Sequence, residues 1–269
     1  MTRIQPSYPE RIVCLTEETT ETLYMMGEQW RIVGISGFTV RPPQARKEKP
    51  KVAAFTTAKI DQILALKPDL VLGFSDLQAD IAAELIRAGV AVHVFNQRSV
   101  AGILSMVQTL GGLIGKPEAA AQVIATLHQA LTHAQQQAQQ WTQRPKVYFE
   151  EWDDPMISGI QWVSELVAWA GGDDCFAELA AAAMAQDRII ADPSTVVARA
   201  PDIIIGSWCG KKFRPEQLQA RPGFAQIPAV QAGHVYEIKS PLILQPGPAA
   251  ILAGLPHIQN LIARWQSEH

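Results

Sequence analysis

Apolar and polar positions follow one another along this chain in two rhythms. Short runs rich in Val and Ile give way to stretches of helical period, a succession that predicts βαβ units with parallel sheets. The first run, Arg11-Ile12-Val13-Cys14-Leu15, leads into Thr16-Glu17-Glu18-Thr19-Thr20-Glu21. A polar cap with acids in the first turn predicts a helix there, ending near Met26-Gly27. Residues 31–36 read as a second strand, 39–51 as a loop rich in Pro, Lys and Arg, and about 57–66 as a helix. A strand is expected at 69–74, a helix at 79–88, and a strand at 90–95 whose unbroken apolar run suits cover on both faces.

The pattern then repeats. Residues 63–74 read ILALKPDLVLGF and residues 196–206 read VVARAPDIIIG. In each segment a helix stops at Pro, an Asp follows, and three aliphatic residues run into a Gly. Both copies occupy the same place in a βαβ series, so two lobes of similar architecture are expected. Between them, residues 117–140 contain no Gly or Pro after the first position and are dominated by Ala, Gln and Leu. This predicts one helix of about 24 residues, or ~36 Å, which either bridges the lobes or lies along one of them. The second lobe is expected to open with a strand at 146–150, to continue through a helix at 163–170 and a strand at 235–238, and to close with a helix at 248–265. The expected fold is α/β, two Rossmann-like lobes with parallel sheets joined by a single long α-helix: residues 1–115, 116–142 and 143–269.

Composition narrows the function. An apolar fraction of 48% over 269 residues fills a substantial core, and 23 Lys plus Arg against 26 Asp plus Glu give a net charge of −3. That balance lacks the basic excess of a nucleic-acid binder. Cys14, Cys175 and Cys209 form neither a CxxC pair nor a disulfide framework, which suits a reducing compartment. The first eleven residues hold no apolar run of the kind an export signal needs, so a cytoplasmic location is expected, with the mature form of an exported protein as the alternative. No run of 18 apolar residues is present to span a bilayer.

In open parallel sheets ligands sit beyond the carboxyl ends of the strands. The residues expected there include Thr16, Glu17, Phe38 and Phe74 in the first lobe, and Glu151, Trp152, Trp208, Cys209 and Gln245 in the second. Trp162, near a helix start, joins them as a candidate, with core packing as its alternative. Aromatic walls with a few carboxylates and an amide have the anatomy of a small-molecule site in a cleft between lobes. Glu18 and Glu21 are better explained by the helix N-terminus they flank. Catalytic signatures are missing: no GxGxxG follows a strand, and there is no P-loop, HExxH or GxSxG elbow. Gly111-Gly112-Leu113-Ile114-Gly115 reads as a helix end. His128 and His133 lie five apart on the long helix and hence on different faces, which disfavours a zinc site; no metal ligand and no resident cofactor are expected. Cys209 lacks an evident His partner and is expected to be a buried apolar thiol.

With these residues laid out, the chain resembles the class of substrate-binding proteins in which a long rigid helix joins two α/β lobes, and which serve importers of cobalamin, iron-siderophores, haem and metal ions. The resemblance covers essentially the whole chain, through the opening strand and turn to Thr16, the KPDLVLGF segment, the linking helix and the RAPDIIIG segment. It is strongest to the cobalamin-binding branch. Glu151-Trp152-Asp153-Asp154-Pro155 is similar to that branch's Glu-Trp-x-Asp-Pro stretch, Ser207-Trp208-Cys209-Gly210 to its Cys-Gly strand end, and Gln245-Pro246-Gly247-Pro248 to its Pro-Gly-Pro entry to the last helix. What this implies is a monomeric, non-enzymatic protein that captures a corrinoid in the interlobe cleft for ABC-type uptake, with little lobe motion. The implied partners are a small chelate and permease subunits, with neither nucleic acid nor membrane embedding. Transport members dock through acidic residues on each lobe; Asp80 and Asp192 are the counterparts here, with Ser194 at the position matched to a Glu. A corrinoid, partly apolar and ringed by amides, suits the aromatic set. Anionic iron-siderophores would favour convergent Arg, and haem an axial His or Tyr, none of which stands at an expected strand end. The alternatives are a cytoplasmic corrinoid-handling or sensing protein, an iron-siderophore or haem binder, and an enzyme using Cys209 with a carboxylate.

Overall fold

The computed structural model describes residues 7–269; the first six, part of the segment without a legible export signal, lie outside the described residues. Residues up to Gln97 with Ala101–Thr126 form one compact unit, and Arg98–Val100 with Leu127–His269 form a second. In the first unit the chain runs through β1 (Ile12–Cys14), α1 (Glu17–Met25), β2 (Ile32–Ser36), α2 (Pro43–Glu48), β3 (Lys51–Ala53), α3 (Ile60–Ala65), β4 (Leu70–Phe74), α4 (Ala79–Arg87), β5 (Val92–Phe95) and α5 (Val100–Leu113), whose first residue belongs to the second unit. The strands pair in the order β3-β2-β1-β4-β5, all parallel. Burial on both faces makes β1 the centre of the core, and it pushes the Cys14 thiol up to about 12 despite hydrogen bonds from Thr19 and Thr20, so that this sulfur is inert.

Two expectations change. The loop at 39–51 contains α2, because Pro43 at its N-terminal turn is preorganised for a helix and Ala45 is buried beneath it. The apolar run before Phe95 is an edge strand and not a strand covered on both faces: β5 pairs only with β4, and Val94 is exposed. A continuous apolar run does not by itself distinguish a sheet centre from an edge that a helix half covers.

The repeated Pro-Asp segment has a physical explanation in its backbone. Lys67 and Ala200, each just before the Pro, both adopt left-handed conformations at φ 48 and end their helices. Asp69 then accepts hydrogen bonds from the Glu10 and Arg11 amides at 2.7 and 2.9 Å, and Asp202 accepts from the Lys146 amide at 2.8 Å. In both units the Asp ties the start of its own strand to the start of the central strand beside it. The repeat is therefore a register clamp at the amino ends of the sheets, the end away from the expected ligand.

Helix α6 (Pro117–Ala138) is continuous, 22 residues or ~33 Å long, and passes from the first unit to the second at Thr126–Leu127. Ala120, Val123, Leu127, Leu131 and Ala134 form one buried stripe along it. Gly111 of α5 lies so close to α6 that an added Cβ would stand 2.3 Å from that of Ala120.

The second unit holds β6 (Lys146–Asp153), β7 (Met156–Ser158), α7 (Gln161–Trp169), β8 (Asp173–Asp174), α8 (Ala177–Ala180), α9 (Ser194–Arg199), β9 (Ile203–Gly206), α10 (Pro215–Gln219), α11 (Pro228–Gln231), β10 (Val235–Glu237), α12 (Ser240–Ile243) and α13 (Leu255–Ser267). Its sheet runs β10-β9-β6-β7, with β8 also on β6; every pairing is parallel except the β6–β7 hairpin. The closing helix is entered through a π-helical turn at Ala250–Gly254, next to Pro256, which cannot donate the backbone hydrogen bond that would extend α13 backwards. At the end of β9, the Phe213 ring packs directly against Gly206, where an added Cβ would stand 2.0 Å from its Cε2. Gly206→Ala is expected to lower the unfolding free energy by about 1–3 kcal/mol, the range for overpacking a tight core, and a urea melt that matches wild type would contradict this contact.

Candidate functional site

In each sheet the strand order reverses direction next to the central strand, between β1 and β4 in the first unit and between β6 and β9 in the second. Ligands of open α/β sheets bind beyond the carboxyl ends of such strands. At that end of the first unit the structure gathers exposed apolar side chains: Phe38 after β2 at 61%, Phe55 after β3 at 37% and Leu77 after β4 at 50% exposure. Phe55 escaped the sequence analysis because β3 is only three residues long and was not recognised as a strand, and Leu77 because it stands three residues beyond Phe74, past the strand end itself. The scaffold beneath is Gln78, fully buried, whose amide donates to the Phe55 carbonyl at 2.8 Å and whose Oε1 accepts from the Phe74 amide at 2.9 Å. One side chain thus joins the ends of β3 and β4.

Helix α1 starts at the same end and carries three buried glutamates. Their burial follows from the segment containing Val40, Arg41 and α2, which is tied across the helix. Glu17 Oε2 accepts from the Val40 amide at 2.8 Å, Glu21 pairs with Arg41 at 2.8 Å, and Tyr24 donates to Glu48 at 2.9 Å. Thr16 stands at the N-cap position, yet its hydroxyl donates to Glu18 Oε1 at 2.6 Å instead of capping the backbone. Desolvation raises the Glu17 carboxyl to about 7, assisted by Glu21 and Glu18 and opposed by the Val40 amide. Glu18 is raised to about 7 by desolvation, against the hydrogen bond from Thr16. Glu17 and Glu21 fasten a covering segment, a tertiary role that a helix N-terminus alone does not explain, while Glu18 is bound to Thr16 at the start of its own helix.

In the second unit β6 outruns its neighbour β9, with Glu150 paired to Gly206, so Glu151, Trp152 and Asp153 stand on a projecting hairpin and are not residues after a strand. Glu150 is 0% exposed and is the hub. It accepts from the Tyr148 hydroxyl at 2.7 Å and the Trp208 indole at 2.9 Å, and it forms a two-pronged ion pair with Arg221. Arg188, almost fully buried, holds Glu151 in the same way at 2.7 and 3.1 Å. Lys211 pairs with Asp153, and its ammonium lies 4.2 Å from the Trp152 ring centre and 5.0 Å from that of Trp208. The sequence analysis found no cation at the strand ends, since Arg188 and Arg221 arrive from segments far along the chain. Lys211-Lys212 directly after Cys209-Gly210 was the one local signal.

Of the residues expected at the site, Phe38 is exposed, and Glu151 and Trp152 are partly exposed. Thr16 and Glu17 are at the right end but buried. Phe74 and Trp208, 5% and 3% exposed, belong to the core and present no wall; Trp208 packs edge-on against Phe213 at 5.0 Å. Trp162 is likewise core, its indole donating to the Ile243 carbonyl at 2.8 Å. Gln245 does not follow a strand directly, because α12 intervenes after β10. Cys209 is exposed and not a buried thiol; partial desolvation of its sulfur, with Glu151 nearby, holds its pKa above the ordinary value, which keeps thiolate scarce at neutral pH. Asp80 is exposed on α4, whereas the Asp192 carboxylate is engaged by the Ser194 amide and hydroxyl at 2.8 and 2.6 Å, at the start of α9. Among the described residues no group of three or more His, Cys, Asp or Glu side chains could hold a metal ion, and no helix is long and apolar enough to cross a membrane.

A family model described as periplasmic binding protein matches residues 12–242. A vitamin B12-binding protein of Vibrio campbellii is 24% identical over 245 residues, covering 88% of this chain and 84% of that protein. Among solved structures, the periplasmic vitamin B12-binding protein of Vibrio cholerae superposes with a TM-score of 0.76 at 21% identity, covering 97% of this chain and 99% of the other. A periplasmic heme-binding protein from Roseiflexus in its apo form gives a TM-score of 0.80 at 22% identity, with coverage of 97% and 99%. The match over nearly the whole chain, on two α/β units threaded by one long helix, places this protein in the periplasmic binding protein family.

Proposed function

We propose that this protein is a non-catalytic solute-binding protein whose ligand is a corrinoid. The observation that carries a binding role is the set of exposed apolar side chains, Phe38, Phe55 and Leu77, gathered at the carboxyl ends of the first unit's strands, with part-exposed Trp152 at the corresponding end of the second. Apolar surface concentrated where α/β sheets take their ligands is the chemistry of a binding face. The corrinoid is favoured over other chelates by the relatives named for vitamin B12 and by the fit of a large, partly apolar, amide-ringed ligand to aromatic faces. Iron-siderophore or haem binding is the second reading, favoured by the Lys211 ammonium over Trp152 and by the heme-binding neighbour. Under this proposal the protein delivers its ligand to an ABC-type permease, with Asp80 as a docking side chain; Asp192 is a poor counterpart because its carboxylate already serves its own helix.

Titration with cyanocobalamin, followed by intrinsic Trp fluorescence, tests the assignment. Saturable quenching is expected, and Trp152→Ala should weaken binding by more than ~1 kcal/mol, the scale of a buried aromatic contact. Absence of saturable quenching by any corrinoid would remove that ligand. Binding undisturbed by both Trp152→Ala and Phe38→Ala would show that the face lies elsewhere.

A further inference from the structure

Three carboxylates at this end of the second unit are already paired within the protein. Glu150 is held by Arg221, Glu151 by Arg188 and Asp153 by Lys211. What remains exposed there is mixed in sign: Lys212 and Arg214 in the segment after β9 and Lys239 after β10, against Asp154, Glu216 and Glu237, whose Oε1 accepts from the Phe213 amide at 3.4 Å. Lys211 is the cation with a fixed position. Its side chain is 40% exposed, and its ammonium is held over the Trp152 ring by Asp153 on one side and by the two indoles beneath.

Trp152 also packs against the apolar core of its unit, and a ligand approaching the ring on the side that Lys211 covers comes into contact with that ammonium. A purely apolar ligand edge would strip water from a charge and return nothing, whereas an anionic group would replace the lost water with a charge-assisted hydrogen bond. We infer that this end of the second unit recognises an anionic substituent on the ligand, a phosphate or carboxylate on the rim of a flat chelate, and that Lys211 is the residue that takes it. The inference rests on Trp152 being a ligand face, and it narrows the ligand to chelates that carry such a group. Lys212 and Arg214, being exposed and unanchored, add attraction without geometry.

Two paired comparisons separate the sources of the anion: cyanocobalamin against dicyanocobinamide, which lacks the phosphodiester, and hemin against its dimethyl ester. For Lys211→Gln, affinity for the anion-bearing member of a pair is expected to fall at least fivefold while the other member is unaffected, and Lys211→Arg should retain the preference. A loss confined to cyanocobalamin assigns phosphate, and one confined to hemin assigns carboxylate. An equal loss for both members of each pair, or none, would overturn the inference by showing Lys211 to be a packing residue or a bystander. A readout without any chelate keeps this distinct from the ligand assignment: collisional quenching of Trp emission by iodide, relative to neutral acrylamide, should fall in Lys211→Gln, and Trp152→Phe should abolish that difference. If iodide shows the effect while no chelate binds, the corrinoid and haem readings fail and the inference falls with them, although an anion reaches Lys211 beside Trp152; if iodide quenching is the same in both proteins, the inference fails even where chelates bind.

Discussion

Arg221→Met is expected to destabilise the protein by about 3–5 kcal/mol, because it leaves the fully buried Glu150 carboxylate without its cation. The Tyr148 hydroxyl and Trp208 indole would still donate to Glu150, yet two neutral donors do not replace a guanidinium gripping both oxygens. Arg221 also donates to the Asp153 carbonyl at 3.1 Å, so the projecting hairpin loses an anchor at the same time. Adding Glu150→Gln to Arg221→Met should recover at least half of the loss, since the uncompensated charge disappears while the acceptor for Trp208 remains. Urea unfolding of both variants measures this. A single variant within 1 kcal/mol of wild type would mean that water reaches Glu150 and that the ion pair does not organise this end of the sheet.

The second large effect concerns pH and has the opposite sign to the usual acid denaturation. Glu17 and Glu18 are raised from the ordinary 4.5 to about 7 by burial, so the folded state holds these protons more tightly than the unfolded chain does. Their contribution to stability is fully present below pH 4.5 and is lost as pH rises through about 7. At about 1.4 kcal/mol per pH unit, a carboxyl displaced that far contributes on the order of 3 kcal/mol. Glu18→Gln mimics the protonated form and keeps an acceptor for the Thr16 hydroxyl. The variant should therefore be more stable than wild type by on the order of 2–3 kcal/mol at pH 8, and the gap should close near pH 4.5. Denaturant melts of the two proteins across that range provide the test. A gap that stays constant with pH would show that Glu18 is ionised in the folded protein.

Local pattern carried much of the architecture. The alternation of Val/Ile runs with helical stretches, and the doubled Pro-Asp segment, specify two α/β units, because strand period, helix stops and the Asp clamp all act over a few residues. The unbroken helical composition after Pro117 specifies α6 for the same reason. Boundaries and short elements were less legible: α2 was hidden by its own prolines, and β3 by having only three residues. At the candidate site, Phe38 and Trp152 were expected from position alone and are at least partly exposed, while Phe74, Trp162 and Trp208 were expected among them and are buried. An aromatic residue at a strand end looks the same in sequence whether its ring turns out to solvent or inward.

The sequence by itself determined the alternation of strands and helices and the two-unit division, since these follow from short-range periodicity and from segments whose role is local, and the resemblance of those segments to a known class pointed to the family. Only the tertiary structure decided the electrostatics at the carboxyl end of the second unit's strands. Whether Glu150, Glu151 and Asp153 act as free acids depends on Arg221, Arg188 and Lys211, which lie 37 to 71 positions away for the two arginine pairs and meet them only through packing. Charge in sequence is a count, whereas charge at a site is what remains after ion pairing across the fold. Here the acids of the local sequence are largely spent in ion pairs with cations that the fold brings to them.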